Sequence, residues 1–192
     1  MAESTLQQIQ VLTRDITDSW SESRGIAPDS VADKMDSAMF GWLNDLTDTL
    51  GIWIDKGLAM SDGELILAQT NLGSLVECWL RFFYCVYYED YIRNPRMKRG
   101  KPLDPDDRDM SFDYLRQYGV GTLWDNRNDP LHTWVEKIQQ RRNAIHAFKY
   151  REIGSPADFL LDIDQYLGFI EAMSNRLPPI EECKTELPSS HY

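Results

Sequence analysis

Apolar residues recur at helical spacing along almost the whole chain. Leu6, Ile9, Leu12, Ile16 and Trp20 follow one another at three and four residues, and Val31, Met35, Met39, Trp42, Leu46 and Trp53 continue the pattern after the start signal Pro28-Asp29-Ser30. Two amphipathic helices are predicted there. A third begins near Asp62 or Gly63 and runs to about Arg93, where Asn94-Pro95 stops it; from Leu72 to Tyr88 it is apolar nearly all round, which predicts a central buried helix. Residues 94–109 mix Pro, Gly and charge and predict an exposed loop. A short helix over Phe112 to Tyr118 ends at Gly119, and a turn-rich connection follows through Asp125-Asn126-Arg127-Asn128.

Asp129-Pro130 then supplies an N-cap with proline at the first helical position. The helix that follows carries Leu131, Trp134, Val135, Ile138, Ile145 and Phe148 on its apolar stripe, and a last helix from Ser155-Pro156 carries Phe159, Ile163, Tyr166, Leu167, Ile170 and Met173. From Leu177 onward Pro, Glu and Ser dominate. No segment alternates like a strand and none repeats. The expectation is an all-α fold, a helical bundle of about five helices forming one domain over residues 1–176, with a flexible C-terminal tail over 177–192.

Composition narrows the function classes. Nine Tyr, seven Phe and six Trp provide bulky core material for a chain of 192 residues. The apolar run Leu75 to Tyr88 carries Glu77 and Arg81 and is shorter than the roughly 20 residues of a membrane span, so no membrane segment is expected. The polar, acidic start Met-Ala-Glu-Ser lacks a secretory pattern, and an odd count of three cysteines suits a reducing compartment, so the expected location is the cytoplasm. Cys78 and Cys85 are expected to be small core residues and Cys183 to lie in the tail. With no zinc-ligand spacing and no Gly-rich phosphate loop, neither a metal nor a nucleotide cofactor is expected.

The net charge of −11 argues against coating of nucleic acid, which requires many cations to displace counterions. The charge is uneven, however. Residues 1–76 hold four Lys/Arg against twelve Asp/Glu, whereas residues 137–151 hold five Lys/Arg and no acid. That basic window contains Gln140-Arg141-Arg142-Asn143-Ala144-Ile145-His146-Ala147-Phe148, which sets two cations, an amide and an imidazole close together. Histidine can take up a proton near neutral pH and arginine can stabilise charge on a phosphoryl oxygen, so this set can act on a phosphodiester without a metal.

Arg141 and Arg142 also occupy the turn where the apolar stripe of their helix should continue. An arginine there faces protein, which is costly unless it is paired or used. On a regular helix Arg142 and His146 lie about 40° apart and Arg141 and His146 about 140° apart, which favours Arg142 as the partner of His146. Asn143 lies a turn before His146 and can bond to it or to a ligand, and Lys149 adds a further positive charge.

Arg141-Arg142-Asn143-Ala144-Ile145-His146 resembles the Arg, four residues, His motif of the HEPN superfamily, and the setting on a late helix of a small all-α bundle is similar to that family too. The resemblance implies a metal-independent endoribonuclease, a homodimer whose two motif copies meet, and a role as a toxin or in phage defence with an antitoxin or effector protein as partner. It places Arg141 and His146 in the catalytic positions, with Arg142 or Asn143 as the polar residue inside the motif. The resemblance favours Arg141 and the angle favours Arg142; both remain candidates.

Arg127 to His132 repeats the same spacing, but Pro130 puts that arginine in the loop before the helix, which separates the pair. Glu77 and Arg81 stand four apart in the order that favours an ion pair, either structural or with Glu77 orienting a motif arginine from the neighbouring helix. Arg93, Arg96, Lys98, Arg99 and Lys101 read as a solvated run diluted by nearby acids. Two other classes compete with the nuclease: a non-catalytic helical module that binds a protein partner or a nucleotide, and a motif that only packs a dimer.

Overall fold

The computed structural model describes residues 2–180 and is mostly helical. Helix α1 (Ala2–Ser21) buries Ile9, Ile16 and Trp20 of its apolar stripe. Three short helices follow, α2 (Asp29–Ser37), α3 (Phe40–Asp48) and α4 (Leu50–Lys56), where the periodicity predicts one. The first break falls at Ala38, whose backbone is extended (φ −71°, ψ 139°), beside Ser37, whose hydroxyl turns back onto the carbonyl of Lys34. Ser and Ala carry no strong stop signal, so the pattern runs through the break. Its consequence is large: Met39, Trp42 and Leu46, expected in the core, are exposed at 57%, 66% and 36%.

Helix α5 (Asp62–Val86) starts at a reciprocal capping box between Ser61 and Glu64, and nearly every face is buried. It packs against α2, α3, α4, α7, α8 and α9 and is the central helix. It ends at Tyr87 rather than Arg93, and a single turn, α6 (Tyr88–Tyr91), completes the segment. Trp79 at its middle donates to the Tyr166 hydroxyl at 3.0 Å, with both side chains fully buried. Cys85 is buried and Cys78 half-buried, and burial pushes the Cys85 thiol up to about 12, as suits an unreactive core residue.

The charged segment after Asn94 is not a free loop. It holds a two-residue antiparallel hairpin, β1 (Met97–Lys98) with β2 (Lys101–Pro102), the one departure from all-helical structure among the described residues. Leu103 and Met110 are buried, Lys34 binds Asp104 and Asp106, and the Tyr91 hydroxyl donates to the Leu103 carbonyl at 2.7 Å. Arg81 of α5 donates to the carbonyls of Pro105, Asp107 and Met110. Two apolar residues hidden among the charges fasten the segment. Of the basic run, Arg93 pairs with Asp90, Arg96 lies over the Tyr114 ring and Lys98 meets Asp109.

Helix α7 (Phe112–Tyr118) is capped by Ser111, α8 (Pro130–Arg142) by Asp129 with Pro130 at its first position, and α9 (Pro156–Ser174) by a Ser155–Asp158 box. The bundle therefore has more and shorter helices than the five expected. Leu177 and Ile180, assigned to the tail by the sequence pattern, pack against the core, and residues 181–192, with Cys183, lie outside the described residues. Among the described residues no helix is long and apolar enough to cross a membrane.

Helices α5 and α8 come close together at Gly73, where an added Cβ would stand 2.4 Å from the Arg142 Cβ. We expect Gly73→Ala to push α8 outward and to lower stability by about 1–3 kcal/mol in urea unfolding, the usual range for overpacking. An unchanged midpoint would mean that the contact is soft.

Candidate functional site at the end of helix α8

Two successive arginines on α8 point to two different helices. Arg141 is buried and donates through Nη1 to Asp162 of α9 at 2.5 Å. Asp162 has no exposed surface and also accepts from Trp134 Nε1 at 2.9 Å and Lys137 Nζ at 2.6 Å. All three donors lie on α8. The connection to α9 leaves room for this guanidinium only because residue 154 is glycine: its φ is +73°, and a Cβ there would meet Arg141 Nη2 at 2.4 Å.

Arg142 turns toward α5 and its Nη2 reaches Glu77 Oε2 at 3.0 Å. The other oxygen of Glu77 takes Arg81 Nη2 at 2.8 Å. Glu77 thus forms the expected i,i+4 pair and also holds a motif arginine from the neighbouring helix. Arg142 remains one-third exposed, so its outer face is open to a ligand. Cations at this end of α8 also complement the helix dipole.

The α-helix ends at Arg142, earlier than the stripe predicts. Asn143–His146 form one tight 3₁₀ turn, and Ala147 closes it in the left-handed conformation (φ +38°). Ile145 and Phe148, expected in the core, are outside it; Phe148 is fully exposed at 105% and Tyr150 at 87%. Angles measured on a regular helix therefore do not place His146. It is exposed, as is Lys149, while Asn143 is half-buried. Among the described residues no side-chain hydrogen bond or ion pair joins His146 to Arg141, Arg142 or Asn143. The structure brings together Arg142, Glu77 and Arg81; it leaves Arg141 with Asp162 and His146 facing solvent.

The second copy of the spacing has an internal use. His132 is buried on the first turn of α8, with Arg116 Nη1 at 2.9 Å from its Nε2 and the Arg127 carbonyl 3.0 Å from its Nδ1. Since Arg116 can only donate and the carbonyl only accept, Nδ1 carries the proton. Trp124 packs edge-on against the ring, and Asp113 and Glu136 hold Arg116. Both nitrogens are engaged inside the protein.

The residue that sequence reasoning missed is Asp162. It sits between Phe159 and Ile163 on the apolar stripe of α9, the acidic counterpart of Arg141 interrupting the stripe of α8. Opposite charges breaking two apolar stripes are a signal for a buried pair. Among the described residues no group of three or more His, Cys, Asp or Glu is arranged to hold a metal ion.

Compared with protein-family models, curated proteins and solved structures, the chain matches none.

Replacing Asp162 by Asn keeps the shape and strands the buried Arg141 without a counter-charge. Loss of one partner of a buried ion pair typically costs about 3–5 kcal/mol. Urea unfolding of Asp162→Asn should show a loss in that range; a change below about 1 kcal/mol would mean that Arg141 finds water instead.

Proposed function

We propose that the chain is a metal-independent endoribonuclease of HEPN type, acting in the cytoplasm. The observation that carries the reading is the half-open Arg142, clamped by Glu77, at the start of the 3₁₀ turn that ends in exposed His146. A guanidinium whose inner face is fixed by a carboxylate and whose outer face is open can receive a phosphate without reorganising.

In this reading a phosphodiester of RNA lies across the end of α8. His146 takes the proton of a ribose 2′-OH, the 2′ oxygen attacks the adjacent phosphorus, and Arg142 stabilises the charge that develops on the phosphoryl oxygens. The bond to the 5′ oxygen breaks and that oxygen takes up a proton from a general acid or water. The products are a 2′,3′-cyclic phosphate and a 5′-hydroxyl. Engagement of Arg141 by Asp162 favours Arg142 as the catalytic arginine and makes Arg141 a positioning residue. Asn143 orients the phosphate or the imidazole, and Lys149 adds a backbone contact. Phe148 and Tyr150 offer faces on which unpaired bases stack.

The same exposed residues, with Ile145, provide apolar surface for a homodimer that sets two His146–Arg142 pairs side by side. A toxin or phage-defence role, held in check by an antitoxin or effector protein, agrees with such an activity. The fully exposed Phe148 also favours a second reading, a non-catalytic module that docks a protein partner or a nucleotide at this end of α8.

Purified protein incubated with mixed RNA in EDTA should yield cyclic-phosphate ends. His146→Ala should lower the rate by about 10²–10⁴ and Arg142→Ala by about 10²–10³, with the fold unchanged by circular dichroism. Full activity in His146→Ala removes the nuclease assignment. RNA or nucleotide binding without any turnover supports the binding module.

A further inference from the structure

The break in helix periodicity at Ala38 does more than divide α2 from α3. It opens a cavity of about 530 Å³ between that junction, α5 and the fastened segment after Pro105. Met39, Phe40, Trp42, Leu43 and Phe82 make its wall mainly apolar, and Arg108 stands at its rim. This volume falls within the usual range for small-molecule sites. Met39, Trp42 and Leu46 lie together as exposed apolar surface around it, which is costly unless something covers them.

Charge selects the occupant. Three cations line the cavity, and two are already engaged: Lys34 binds Asp104 and Asp106, and Arg81 binds Glu77 and three backbone carbonyls. Arg108 is exposed and, among the described residues, has no ion-pair or hydrogen-bond partner. The acid that also lines the cavity, Asp106, is held by Lys34. An incoming group therefore meets an apolar, aromatic-rich wall and one guanidinium without an ion-pair partner among the described residues.

We propose that this cavity is a binding site for a small amphiphilic carboxylate, its apolar body against Phe40, Trp42, Leu43 and Phe82 and its carboxylate on Arg108. The site is separate from the end of α8, and its test does not depend on RNA cleavage. Dodecanoate, below its micellar concentration, is titrated into the full chain and followed by tryptophan fluorescence, with Trp42→Phe identifying the signal that comes from the cavity.

A saturable one-to-one change is expected. Arg108→Ala should weaken binding roughly tenfold, the order of one charge-assisted contact. Ala38→Trp, at an exposed position on the cavity wall, should abolish binding by filling the space without touching the core. Dodecanol should bind more weakly than dodecanoate. The proposal is overturned if dodecanoate gives no saturable change, if dodecanol binds equally well with Arg108→Ala without effect, or if Ala38→Trp binds as the parent does. It is also overturned if sedimentation shows a dimer that Trp42→Ser dissociates and dodecanoate does not compete with, since a second copy would then cover the face.

Discussion

The carboxylate of Asp162, buried without exposed surface and held by Trp134, Lys137 and Arg141, determines how α8 lies on α9. A buried carboxylate is tolerable only when its oxygens are fully met, and here each oxygen has a charged donor. Because the donors sit on successive turns of one helix, the interaction fixes the rotation of α8 about its axis as well as its distance from α9. The next residue after Arg141 must then point about 100° away, toward α5. Arg142 finds Glu77 there, and Gly73 allows the backbones to come close enough for the pair to form. Beyond Arg142 the chain tightens into the 3₁₀ turn, which buries Ala144 and presents His146 to solvent.

Apolar burial supplies the bulk of the attraction in this fold, and ionic contacts decide its details. Trp79, Tyr166, Phe159 and Phe169 form the centre of the core with full burial and directional contacts between rings. Around that centre single arginines tie one element to the next: Arg81 of α5 to the stretch after Leu103, Arg116 of α7 to His132 of α8, and Arg141 of α8 to the acid of α9. A planar guanidinium with five donors can serve a carboxylate and several carbonyls at once, which an ammonium group does less well. Arg81 holds the segment after Leu103 in this way, with three backbone carbonyls and one carboxylate on a single guanidinium.

Helix starts were far more legible in the sequence than helix ends. Asp129 with Pro130 and Ser155 with Pro156 each announce a start by side-chain chemistry, each start stands where they put it, and α5 starts at Asp62 as its pattern predicts. The ends at Ser37, Val86 and Arg142 carry no glycine or proline, and nothing in their residue types distinguishes them from helix interior. The stripe residues beyond those ends, Met39, Trp42, Ile145 and Phe148, were therefore assigned to the core and are exposed. In the site, the arginines interrupting the stripe correctly indicated buried charge, and Glu77 was found as a partner. The acid of α9 went unseen because a pairing between helices 21 residues apart leaves no local pattern. The two copies of Arg-x4-His show the same limit, since the histidine of one lies inside the fold and that of the other at its surface.

Glu77 is shared by two arginines with unrelated duties. Through Arg81 it steadies the segment after Leu103, and through Arg142 it steadies the end of α8. Over evolutionary time such a residue is bound by epistasis. A shorter acid reaches only one arginine, an amide neutralises neither, and a change at either arginine leaves the other with a carboxylate of altered strength. Glu77 is therefore constrained from two sides, and a lineage that loses Arg142 would still keep Glu77 for the sake of the segment that Arg81 anchors.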